Sequence, residues 1–366
     1  MDSVPIRFWE GVFFALRWNR WRWYEIAEKL PQPWKTLAWR HATRRLDFYI
    51  NFPNEPGEWS CWIETYDDQS LLPKSLKELL AMDPRYLRCD EICVGMDRCM
   101  GTALELCRGK ENITEKVIPF LCRAAFIKTG LEFEYSCPRE KARFYMDIFR
   151  NMIIFSRLGL PYFGQETEDF LATQVANNYL LWNLAVQQDW PVTEANEDLV
   201  VQYLTRKKGD LEPQRALHLY ESLKTNFRIL KAAFDTWYQS ENEEVHVYSV
   251  AGHLTMEEVL SLPVPEDVWR VEGVYVDNGE YGDVYGDRLI SFIRWTKPNG
   301  ACFRCDYHPN DHFPLVGTTK RKGEYQWSVE RGLPDPRTLP QVDWLHFSDY
   351  YTPLESENSD YSSEDS

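Results

Sequence analysis

The hydrophobic pattern of this chain changes its period once, near residue 240, and the change limits the architectures open to it. Up to Gln239 the apolar residues recur mostly at three- and four-residue spacing, as helices with one buried face require. After the polar stretch Ser240-Glu241-Asn242-Glu243-Glu244, β-type runs take over at 245–250, 268–276, 288–295 and 301–307. The pattern predicts an α+β protein. An aromatic-rich helical bundle or array over 1–239 precedes a smaller, mainly antiparallel β domain over 245–350 and a disordered acidic tail over 352–366.

Punctuation refines that expectation. Phe8, Val12, Leu16, Trp23 and Ile26 mark an aromatic helix face over 1–30, which Pro31 and Pro33 stop. A second helix is expected over 34–50, then a short strand over 59–64. From 75 to 239 the signals read as consecutive helices. Asn112 with Glu115 forms a capping-box-like start, and Gly130 stands where a C-cap belongs. Pro138 opens a helix with the stripe Phe144, Ile148, Met152 and Phe155, ended by Gly159-Leu160-Pro161. Further helices are expected over 166–188, after a cap at Thr193, and from Pro213 through Leu217, Leu223, Phe227, Leu230 and Phe234. No repeat of fixed period is present, which argues against a solenoid. In the β half, Thr255 and Glu258 cap one short helix, and Thr296-Lys297-Pro298-Asn299-Gly300 predicts a hairpin turn.

Composition bounds the function. The 366 residues suit two packed units, and 15 Trp, 20 Tyr and 19 Phe supply a wide core or a binding surface. Net charge is −16, yet residues 1–50 carry nine Lys and Arg against five Asp and Glu. The acidic balance argues against a generic nucleic-acid binder. No apolar run approaches the ~20 residues that span a bilayer, and Glu10 and the following arginines break any signal-peptide pattern. Nine scattered cysteines do not make a secreted disulfide framework. The expectation is an intracellular protein, cytoplasmic or nuclear, with reduced thiols.

Several clusters carry candidate chemistry. Cys302, Cys305, His308 and His312 are ligand types that zinc favours. If 301–307 is a strand, however, Cys302 and Cys305 point to opposite faces and share no ion. The acidic glycine loop 277–287, with Asp283, can join His308 and His312 in a metal-dependent hydrolase or nuclease, although Arg288 replaces the glutamate of an EF-hand. Cys89, Cys93, Cys99 and Cys107 read as helix packing. Trp18, Trp21, Arg22 and Trp23 interleave basic and aromatic residues, a partner-binding pattern that also suits single-stranded nucleic acid over 17–23. Ser362, followed by acidic residues, is a candidate phosphorylation site. No phosphate-binding loop, dinucleotide fingerprint, GxSxG elbow or HExxH motif occurs. The leading expectation is a non-catalytic adaptor that works through protein–protein contact and needs no cofactor.

Overall fold

The computed structural model describes Phe8, Val12 and residues 20–54, 59–65, 72–96, 104–206, 214–219, 223, 225–241, 244–249, 258–259, 261–277, 288–307 and 326–329. The chain enters through α1 (Arg20–Lys29) and α2 (Trp34–Arg44), then β1 (Leu46–Phe52) and β2 (Ser60–Glu64). Next come α3 (Leu76–Ala81), β3 (Leu87–Val94) and β4 (Leu104–Arg108). The helical segment α4 follows as Lys110–Asn112, a π turn at Ile113–Val117 and Ile118–Ala124. From there strand and helix alternate: β5 (Ala125–Phe133), α5 (Arg139–Phe149), β6 (Arg157–Leu160), α6 (Gln165–Asn177) and β7 (Asn183–Val186). The alternation continues with α7 (Glu194–Thr205), β8 (Gln214–Leu219), α8 (Phe227–Gln239) and β9 (Glu244–Ser249). The last strands are β10 (Trp269–Asp277), β11 (Arg288–Thr296), β12 (Cys302–Tyr307) and β13 (Gln326–Val329).

These strands form one mixed sheet of thirteen, ordered β13-β10-β11-β12-β9-β8-β7-β6-β5-β3-β1-β2-β4. Its centre, from β1 through β3 and β5 to β9 and on to β12, is parallel; the strands at both margins pair antiparallel. Helices and a mixed sheet together bear out the α+β class. The expected helical bundle is corrected, because the sheet already runs through residues 46–219. The sequence 214–219 that was expected to open a long helix is β8, and that helix begins only at Phe227. Likewise Gly159-Leu160 belongs to β6, and the Asn112–Gly130 stretch splits into α4 and β5. Each of these strands holds the short motif apolar-x-apolar, which satisfies helix and strand periods alike over so few residues.

Strand order decides where the core lies. From β5 to β9 each strand is laid down beside its predecessor, without reversal, so crossovers of one hand keep α5 to α8 on one face. Aromatic contacts follow that rule. Phe48 meets Phe120 of α4 at 6.2 Å between ring centroids, and Phe52 meets Tyr145 of α5 at 4.4 Å. Phe133 meets Phe170 of α6 at 6.3 Å, and Phe303 meets Phe234 of α8 at 5.6 Å. Gly130, Arg157, Asn183, Ala216 and His246 stand in register across five strands, roughly thirty residues apart in sequence. Strand–helix units therefore stack as in an α/β solenoid, which the lack of a sequence repeat had argued against.

Four helices of the layer, α5 to α8, end on a side chain from further along the chain. Gln174 donates to the carbonyl oxygens of Arg150 and Met152 after α5, at 3.0 and 3.3 Å. Arg206 donates to Asn178, Val175 and Leu181 beyond α6. Arg215 donates to Tyr203, Leu204 and Arg206 at the end of α7. Lys297 donates to Trp237 and Ser240 at the end of α8. A cation placed on the last carbonyls satisfies orphan acceptors and opposes the negative pole of the helix.

Some local expectations hold and others shift. Thr193 caps α7, its Oγ1 accepting from the Asn196 amide at 3.3 Å. The 296–300 hairpin is present, with positive φ at Gly300 alone and not at Asn299. In α5 the buried stripe is Ala142, Tyr145, Met146 and Phe149, while Phe144 and Ile148 flank it and Met152 and Phe155 follow the helix. Among the described residues no helix is long and apolar enough to cross a membrane.

Candidate functional site: the open face of the sheet

The helices that cross between successive parallel strands occupy one side of the sheet, while α1 and α2 pack around a small core of their own. Period two then sorts the side chains. In β1, Leu46, Phe48, Ile50 and Phe52 enter the core, while Asp47, Tyr49 and Asn51 point away. Across the parallel strands the outward residues are Glu91 and Cys93, Gly130 and Glu132, Arg157 and Gly159, Asn183 and Ala185, Ala216 and His218, then His246. Arg304 of β12 and Arg294 of β11 continue the row and face each other across an antiparallel pair. At about 4.8 Å per strand, the row from Glu91 to Arg294 extends about 34 Å.

Along this row the described side chains run from Glu91 at one end to Arg304 and Arg294 at the other. Carboxylates gather toward β2, β3 and β5, at Glu64, Glu91 and Glu132, while His218, His246, Arg304 and Arg294 gather toward β8, β9, β12 and β11. The two histidine rings lie 6.3 Å apart at an angle of 63°. Arg157 sits between the two groups and reaches Glu91 at 3.5 Å, passing over the intervening strand β5. Gly130 makes that bridge feasible: a Cβ there would stand 2.8 Å from Glu91 Oε1 and 3.2 Å from Arg157 Nη2. Gly159 plays the same part for Glu132, whose carboxylate fills the space a Cβ would take.

Glu132 is a strongly perturbed carboxyl group on this face. Desolvation, reinforced by the charge of Glu91, pushes its carboxyl up to about 8, and the Gln187 amide that donates to it offsets only part of this. At neutral pH it is therefore largely protonated and offers a donor as well as an acceptor. On the lower rim of the same face Asp47 binds Arg45 at 3.0 Å and Arg88 at 3.1 Å, and Arg88 reaches Asp90 at 2.6 Å. The arrangement can hold a polar chain running across the strands, with a cationic part over Glu64 and Glu91 and an anionic part over the histidines and arginines.

The residues singled out from sequence are distributed differently. Cys302 is half-buried opposite Thr296, and Cys305 is fully buried opposite Ile293, so the two lie on opposite faces of β12. An ion shared by both would need that strand to break. His308, His312, Asp283 and the remainder of the acidic glycine loop after Asp277 lie outside the described residues, as do Ser362 and the tail 352–366. Trp18 also lies outside them. Trp23 is corrected: it is fully buried and stacks on His41 at 5.1 Å, filling a small core with Ala27, Leu37, Ala38 and Ala42. Arg22 beside it is exposed.

The cysteine expectation also changes. Cys89 and Cys93 do not share a helix face; they lie on β3, where the bulge at Asp90 turns Cys89 inward and Cys93 toward the open face. Cys107 stands opposite Cys61 on β4 and β2, and Cys99 lies outside the described residues. The open face itself was missed. Its signal was the recurring motif Leu131-Glu-Phe133, Leu158-Gly-Leu160, Leu184-Ala-Val186, Leu217-His-Leu219, Val245-His-Val247, whose middle residues all point outward. Comparison of the chain with protein-family models, curated proteins and solved structures finds no match.

Proposed function

We propose that the protein is a non-catalytic binding protein that holds a partner protein against the open face of its sheet. One observation carries this reading: sequential parallel strands, with the helices that cross between them on one side, leave a face about 34 Å long lined by polar side chains, Glu91 toward one end and Arg304 and Arg294 toward the other. Stacked strand–helix units commonly present such extended surfaces to macromolecules, because each unit contributes one or two side chains at fixed spacing. Relative to the sequence expectation, the contact surface moves from the helices and termini to the sheet.

The test uses the full chain as bait in native extract, treated with nuclease. Ala185, half-buried at the middle of the face, is changed to arginine; Gln202→Arg on the exposed side of α7 is the control. Wild type and Gln202→Arg should retain one nuclease-resistant partner in near-equal molar amount, and Ala185→Arg should lose it while melting as wild type does. Equal retention by both variants would remove the sheet face from the contact.

A further inference from the structure

Among the described residues β4 is the last strand of the sheet, bonded on one side, to β2. Cys61 and Cys107 are directly opposite each other in that antiparallel pair. Opposed residues there have Cα atoms about 4.5 or 5.5 Å apart, and either spacing falls within the span that a disulfide bridges without moving the backbone. Both thiols are free in this structure and point to the helix side, where Cys61 is fully buried and Cys107 is half-buried at the sheet margin.

The two sulfurs are chemically unequal. The neighbouring Cys61 thiol holds Cys107 below the ordinary thiol value, against the opposing effect of its own partial burial. Cys61 is pushed well up, first by burial and then by its bond to Cys107. The accessible sulfur is thus the better thiolate, and the buried one keeps its proton. Two further buried cysteines of the sheet, Cys89 and Cys93, are raised well above the ordinary value, chiefly by burial.

We propose that Cys61 and Cys107 are a redox site, closed to a cross-strand disulfide by small-molecule disulfides of the glutathione type and reopened by thiols. Cys107 thiolate attacks one sulfur of the small disulfide, forming a mixed disulfide and expelling one small thiolate. Cys61 then attacks Cys107 Sγ; its proton and the one Cys107 had released go to the two small thiols. Two protein thiols are oxidised by two electrons, and one small disulfide is reduced to two thiols. Capping Cys107 removes its charge, one of the causes that hold the Cys61 proton, so the second step is eased by the first. The bond joins β4 to its neighbour β2 and closes the chain between residues 61 and 107.

The experiment treats the reduced full-length protein with oxidised glutathione, quenches with iodoacetamide and maps peptides without reduction. The expected product is a linked Cys61–Cys107 peptide pair, lighter by two hydrogens and lost on adding dithiothreitol. Cys61→Ser should instead stop at a Cys107–glutathione adduct. On the wild-type protein alone, oxidation should raise the midpoint of thermal unfolding and dithiothreitol should restore it, so the test survives a poorly folding variant. Cys107 remaining free while the exposed Cys122 is glutathionylated, or Cys107 linked to any other cysteine, would overturn the proposal.

Discussion

Two positions show how single residues set local energetics. Gly95 closes β3 with φ of +91°, and a Cβ there would overlap the Cβ of Cys137. Backbone strain and overpacking add, so Gly95→Ala should cost about 3 kcal/mol, read as a lower urea midpoint at unchanged slope. Glu132 is governed by pH. Its folded value lies near 8, above the ordinary 4.5, so the folded state keeps a proton that the unfolded state releases. Stability should therefore fall as pH rises from about 4.5 to about 8 and level off above, with partial exposure screening the total to on the order of 2 kcal/mol. Glu132→Gln should abolish that decline; parallel slopes for both proteins over this range would show that Glu132 ionises freely. At His41 burial dominates, with Arg45 and Arg85 adding to it, and the ring is held near 4 and neutral between Trp23 and Tyr86.

At the scale of elements, the helices are stopped by their successors. Arg215 is 2% exposed and serves three carbonyl groups at the end of α7, and Lys297 serves two at the end of α8 while lying over the Trp237 ring at 4.8 Å. Replacing such a cation by an apolar residue of similar length leaves buried acceptors without donors. Arg215→Met should cost about 3 kcal/mol and Lys297→Met about 2 kcal/mol in denaturant unfolding. A loss below about 0.5 kcal/mol at both would mean that water replaces the caps. Legibility at this scale was uneven. Thr193 and the 296–300 hairpin were readable because their chemistry is local: a hydroxyl reaching an amide three residues on, and a glycine accepting positive φ. The capping box at Asn112 was not, since α4 starts at Lys110 and the Asn112 side chain instead donates to Arg108 O at 2.9 Å.

At the scale of the whole molecule, stacking in sequence order makes each unit lean on its two neighbours, so stability should be graded from centre to margin. Amide exchange should be slowest in β6, β7 and β8, which are bonded on both sides within the parallel core, and faster in β4, which among the described residues is bonded on one side. Uniform protection across these strands would indicate a single cooperative unit instead. The candidate site belongs to this scale too. Gly130 admits a Glu91–Arg157 bridge and Gly159 admits the Glu132 carboxylate only because strands far apart in sequence become neighbours. By itself the sequence determined the presence of both element types, the turn and cap chemistry, and the opposite facing of Cys302 and Cys305 along β12, since each follows from bonds within a few residues. Only the tertiary structure decided that the short apolar-x-apolar runs before residue 240 are strands. A run of three or four residues buries the same side chains as helix or strand, and what separates the two is a row of backbone hydrogen bonds to partners tens of residues away. The same long-range pairing set Cys61 against Cys107, which no local spacing in the chain encodes.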